Sequence, residues 1–177
     1  GSDDDAHEAG QRIWRMNMLK ASKKVIGQLN KAYSLCQVTE DGKPYVLCAA
    51  EKEDPCYRFD TEGNQVEKLW DGPGGVMSME QFAADEFILL ATYKFYSPNN
   101  SADAKIVYYR RVDGELKMEV LCDLPFVHRF GILNRGGRRW LIACTLKSAH
   151  AFKTDWTCPG RIWVAELPDD ITQFNAE

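Results

Sequence analysis

No stretch of this 177-residue chain is long and apolar enough to cross a membrane, and no secretory signal pattern stands in it. The opening Gly1-Ser2 reads as a cloning remnant, so the natural start is expected elsewhere. Neither sign of charge dominates: 22 Lys and Arg face 26 Asp and Glu. Without a basic patch interleaved with aromatics, nucleic acid is not an expected partner. Low-complexity tracts are missing too, which excludes a fibrous or largely disordered chain. There is no Cys-x-x-Cys and no Cys/His cluster at zinc spacing. Also absent are a P-loop, a dinucleotide fingerprint, an HExxH helix, a nucleophile elbow, an integrin-type calcium loop and a sialidase-type Asp box. The paired carboxylates of a glycosidase do not stand out either.

What is present is a chain long enough for one domain with a real core. Of the six cysteines, Cys36, Cys48 and Cys144 lie inside apolar strand-like runs and Cys122 near the end of another. There a free thiol acts as a small hydrophobe, so reduced core cysteines are expected, with Cys56 and Cys158 in loops. A cytoplasmic setting follows from that expectation.

The strongest signal is internal similarity. The segments "PYVLCAAEKE" (44–53), "EFILLATYKF" (86–95) and "RWLIACTLKS" (139–148) each begin with an aromatic, Tyr45, Phe87 or Trp140. Each runs through small or aliphatic residues to a lysine at the same offset, Lys52, Lys94 or Lys147. Before each comes a polar turn, "TEDGK", "AADE" or "NRGGR", and before that a short strand, "YSLCQV", "MSMEQF" or "HRFGIL". A third strand follows each, "CYRFD", "KIVYYRRV" or "RIWVAEL". A fourth is expected in "VEKLWDG" and "LKMEVLCDL", with only "ITQFNAE" left to supply it in the last copy.

Short strands at regular spacing with turns between them predict an all-β meander. Four antiparallel strands repeating every 40 to 50 residues or so are the unit of a β-propeller, a blade. The second strands are apolar on both faces, as expected of a sheet covered on both sides. A β-sandwich is the alternative arrangement.

At the N-terminus "RIWRMNM" (12–18) echoes "RIWVAEL", and "KKVIGQL" follows where a fourth strand belongs. This reading divides the chain into a disordered tail (1–10), a half blade (11–31) and blades at 32–73, 74–124 and 125–177. A helix over residues 6–29 is the rival, weakened by β-branched residues and Gly27. About three and a half blades are too few for a ring of at least roughly four. The expectation is a homodimer that closes it, or the remainder of a longer chain.

Strand direction assigns the site. In such a meander the long loops 95–104 and 148–160 share one end with the start of each inner strand. His128 and Arg129 lie there, with Tyr33, Ser34, Met77 and Ser78 at matching positions, and Lys52, Lys94 and Lys147 close the second strands nearby. His150 and Asp155 stand on the longest loop. Each has a structural alternative: His128 packed in the core, Arg129 paired with Asp123 or Asp155, the lysines capping blades through carbonyl bonds. Loops on a rigid scaffold are where binding usually resides, so a small polar ligand at this mouth is expected.

The repeat, with "DLPFVHRFGI" opening a blade and "LKS…DW…PGRIWVAEL" completing it, resembles the propeller domain of bacterial aldos-2-ulose dehydratase-like proteins. That resemblance implies a sugar ligand. It also implies a divalent metal on His128 polarising a sugar carbonyl, with Arg129 or Lys147 near the substrate oxygens. Carbohydrate binding is thus the leading expectation. A metal-assisted sugar lyase or isomerase and a protein-interaction scaffold are the alternatives.

Overall fold

The computed structural model describes residues 21–83 and 86–176. Among them eleven strands form three antiparallel sheets, and there is no α-helix. The first sheet holds β1 (Ala32–Glu40), β2 (Lys43–Ala50), β3 (Cys56–Phe59) and β4 (Gln65–Trp70) in that order. The middle sheet holds β5 (Met79–Gln81), β6 (Ile88–Tyr93), β7 (Lys105–Val112) and β8 (Glu115–Asp123). The last holds only β9 (Val127–Arg135), β10 (Arg138–Thr145) and β11 (Ile162–Leu167). Tight turns make the chain-order pairing: Asp41, at φ 51°, and Gly42, at φ 71°, reverse the chain between β1 and β2, a conformation Asp and Gly tolerate.

The sheets stack face to face. Cys36, Val38, Leu47 and Ala49 of the first pack against Leu89, Ala91, Val107 and Tyr109 of the middle one. The opposite face of the middle sheet, Leu90, Ile106, Tyr108 and Leu121, packs on Val127, Leu141, Ala143 and Leu167 of the last. This double burial is why "ILLATY" shows no alternation. The sheets do not close on one another. What is established is an all-β architecture of three stacked sheets.

Several expectations change. "ITQFNAE" adds no strand: Ile171–Gln173 is a 3-10 turn capped by Asp170, whose carboxylate accepts from the Thr172 N–H, and Ile171 anchors it in the core. "KKVIGQL" is not a strand either. It runs irregularly past the β3–β4 turn, with Ile26 against Gly63 and Gly27 against Phe59. "RIWRMNM" and the tail lie outside the described residues.

All six cysteines are free, but Cys144 is exposed and Cys48 half-buried, while Cys56, expected in a loop, starts β3 in full burial. Desolvation pushes the Cys36 thiol up to about 11 and the Cys56 thiol well above its ordinary value. Both are inert packing groups.

The similarity of the second strands holds, but not in the register that aligns the lysines. Each second strand is closed onto its inner strand by an N–H to C=O bond: Glu51 to Lys31, Lys94 to Gly74, Leu146 to Phe126. The separation within each pair is the same, so Lys94 is equivalent to Glu51 and Leu146, not to Lys52 and Lys147. The aromatic-to-lysine alignment is one residue off at each step. In a strand that slip reverses the facing of every side chain. Tyr45 and Phe87 accordingly pack into one layer from opposite sheets, and Trp140 lies outside both core clusters.

Candidate functional site

The strand starts of β1 and β9 and the ends of β2, β6 and β10 meet at one end of the stack, because antiparallel pairing sets Ala32 opposite Ala50 and Val127 opposite Thr145. The loops 94–104 and 146–161 emerge there. Near the centre of this end Arg129 links all three sheets. Its Nη1 donates to the Met77 carbonyl at 2.5 Å, its Nη2 to the Tyr33 hydroxyl at 3.2 Å, and its guanidinium lies 5.2 Å from the Tyr33 ring centroid. Neither Asp123 nor Asp155 is its partner. Ser78 accepts from the Phe130 N–H at 3.4 Å, and Ser34 is buried.

His128 is half-buried with its ring edge-on to Phe95 at 4.9 Å. Burial first, and the Arg129 charge second, lower its pKa, and Glu51 opposes them in part. The imidazole is therefore neutral near pH 7. A neutral imidazole can ligate a metal, but the residues around it do not fit one. Its neighbours are an aromatic ring and a guanidinium, and no group of three or more His, Cys, Asp or Glu among the described residues is placed to hold an ion.

Beside this centre lie two neighbouring polar cavities that share lining residues, together called the trough below. A cavity of about 460 Å³ is lined by Lys94, Tyr96, Asn99, Asn100, Ala102, Asp103, His150 and Lys153. A second, of about 540 Å³, is lined by Lys52, Glu53, Asp54, Tyr96 and Asn100. Tyr96 and Asn100 belong to both. His150 sits on the edge of Phe126, 5.1 Å between centroids, and its buried Nδ1 has no hydrogen-bond partner among the described residues. Three residues expected at the mouth, Lys52, Lys94 and His150, thus line one trough.

Two others do not. Lys147 is fully buried. Its ammonium donates to Asn99 Oδ1 at 3.1 Å, the Lys153 carbonyl at 3.2 Å and the Asp155 carbonyl at 3.0 Å, and lies 4.6 Å from the Trp156 ring centroid. Its three hydrogens are used, so it holds the loop and not a ligand. Asp155 is buried as well, accepting from the Ala151 N–H, the Thr157 N–H and the Thr157 hydroxyl. Those bonds hold its carboxyl down at about 2. Tyr96, Asn99, Asn100, Asp103 and Lys153 were not singled out from the sequence. The length of the loop "FYSPNNSADA" was the available signal, but a loop's length does not say which side chains point inward.

No family model matches the chain, and no curated protein matches it. Among solved structures, a chain of Kuenenia stuttgartiensis hydrazine synthase is similar to it, with a TM-score of 0.46 and 16% identity. The match covers 75% of this chain and 41% of that one, so the chain spans less than half the length of that neighbour. A likeness this distant carries no argument about fold or function.

Proposed function

We propose that the three sheets are blades of a β-propeller and that the loop-bearing end binds a small hydroxyl-rich ligand, a carbohydrate. The propeller reading is supported by three features: chain-order meanders, face-to-face stacking, and inner strands joined to one another. In that last respect Gln81 bonds both backbone groups of Thr39, and Glu80 accepts from the Ile132 N–H. The ligand reading rests on one observation, the trough that Tyr96 and Asn100 share. Amides offer paired donor and acceptor groups to vicinal hydroxyls, lysines and carboxylates add charge-assisted bonds, and the tyrosine offers a flat apolar face. His150, whose buried Nδ1 has no partner among the described residues, stands at the wall. The lack of a donor set around His128 gives the metal-assisted lyase no comparable support.

Calorimetric titration with neutral monosaccharides, uronic acids and short oligosaccharides tests this. Asn100→Ala with His150→Ala is expected to weaken binding of any hit on the order of tenfold or more, two bonds' worth. Binding that survives the double variant unchanged overturns the assignment of the site.

A further inference from the structure

The faces that each sheet turns to its neighbours follow one rule, and at the two ends of the stack the rule is left incomplete. The first sheet buries Cys36, Val38, Leu47 and Ala49 toward the middle one, and the middle sheet repeats this toward the last. Among the described residues, nothing packs on the corresponding face of the last sheet. Pairing sets Cys144 opposite Ile162, and Ile142 opposite Gly131 and Val164, so these form one continuous face with Leu133. Ile162, Val164 and Leu133 are 76%, 61% and 48% exposed. At the other end of the stack, the face of the first sheet that looks away from the middle one carries Leu35 opposite Cys48 and Gln37 opposite Val46. Leu35 is 68% and Val46 37% exposed.

These two faces are the halves of the contact the chain makes twice within itself. Registration through the closing bonds makes Gln37 the equivalent of Gln81, each opposite the matching residue of the second strand, Val46 or Leu89. Gln81 reaches the preceding sheet, where its Oε1 accepts from the Thr39 N–H at 2.8 Å and its Nε2 donates to the Thr39 carbonyl at 2.6 Å. By the same registration the equivalent of Thr39 in the last sheet is Asn134, at the matching point of β9. Among the described residues, therefore, the Gln37 side chain at one end has no such partner, and Asn134 at the other end has no such reader.

We propose that a second copy of this chain docks head to tail, the outer face of its first sheet on the outer face of the last sheet, with Gln37 on the backbone of Asn134. The contact is heterologous, so it closes only if its rotation returns to the start. Two copies supply twice the three sheets, within the roughly four to eight that close a propeller. The proposal uses the stacking of the sheets and is independent of the ligand reading.

Light scattering over a concentration series, with Leu35→Glu and Val164→Glu, tests it. Both side chains are exposed, so the variants are expected to fold, with circular dichroism as the check. The parent should reach twice its 20.1 kDa mass. Each variant, by placing a charge in an apolar contact, should weaken association on the order of tenfold or more. An equal mixture of the two variants should associate again, because one of its two contacts then joins unaltered faces. Alkylation of Cys144 should slow as the parent associates. A monomer at every concentration overturns the proposal. So does a dimer indifferent to Leu35→Glu, which means the last sheets pair with each other, and so does a mixture that stays monomeric. Sugar binding at the trough should be the same in both variants, so loss of one reading leaves the other standing.

Discussion

Lys147 puts an ammonium group in full burial and satisfies it with two carbonyls and an amide oxygen, not with a carboxylate. Removing the charge while keeping the stem leaves one buried and two part-buried acceptors without this donor, so Lys147→Met should cost about 2 to 3 kcal/mol. A lower urea midpoint at unchanged slope would show it. Asp155 organises the same loop through its carboxylate, held at about 2 against an ordinary 3.8. A carboxyl whose folded pKa is depressed adds stability that is present above its unfolded value and is lost as pH falls through its folded value. Stability should therefore decline between about pH 4 and pH 2 in part through this group. Asp155→Asn, whose amide cannot accept from both sides, should be less stable at neutral pH and show a flatter acid limb in thermal melts at graded pH. Lysine at the end of an apolar strand was legible as either a ligand group or a cap; only burial and the three acceptors decide between them.

At the scale of elements, the entry to the middle sheet depends on a close backbone approach. A Cβ on Gly74 would stand 1.2 Å from the Lys52 carbonyl oxygen, and the Gly74 carbonyl accepts from the Lys94 N–H. No side chain can bend out of that clash, since both parties are backbone. Gly74→Ala should destabilise the protein by on the order of 3 kcal/mol or more. A fall of many degrees in the melting midpoint checks it, and the exposed-turn variant Gly114→Ala, at positive φ but with open space around it, should fall much less. The strands themselves were plain in the sequence, because turns rich in Gly, Asp and Asn separate short apolar runs. The missing fourth strand of the last sheet was not. "ITQFNAE" has the composition of a weak strand, but Asp170 caps a turn instead and Ile171 finds a place in the core.

Across the whole molecule, the first and middle sheets are pinned at the turn-bearing end by a shared ion network. Arg111 donates to Glu40 at 2.5 Å and to Glu67 at 2.8 Å, and Arg58 pairs with both acids. These groups are partly buried, so losing one cation leaves two carboxylates sharing the other. Arg111→Met should cost about 1 to 3 kcal/mol. Chemical denaturation with and without Glu40→Gln gives the coupling, and a silent Arg111→Met would show the network to be solvent-screened.

The strands, the turns and the all-β class followed from the order of residues alone, because alternation, apolar runs and turn chemistry are local properties. The facing of each strand did not. Bulges between Ala32 and Ser34 and between Cys144 and Thr145 shift the pairing by a residue, and aligning the lysines carried the opposite error at each step. A bulge leaves no mark in composition, yet it turns side chains from one face to the other. It therefore took the tertiary structure to decide that Lys147 is buried, that Lys52 and Lys94 line a trough with His150, and that the described residues leave apolar side chains of the outer sheets exposed.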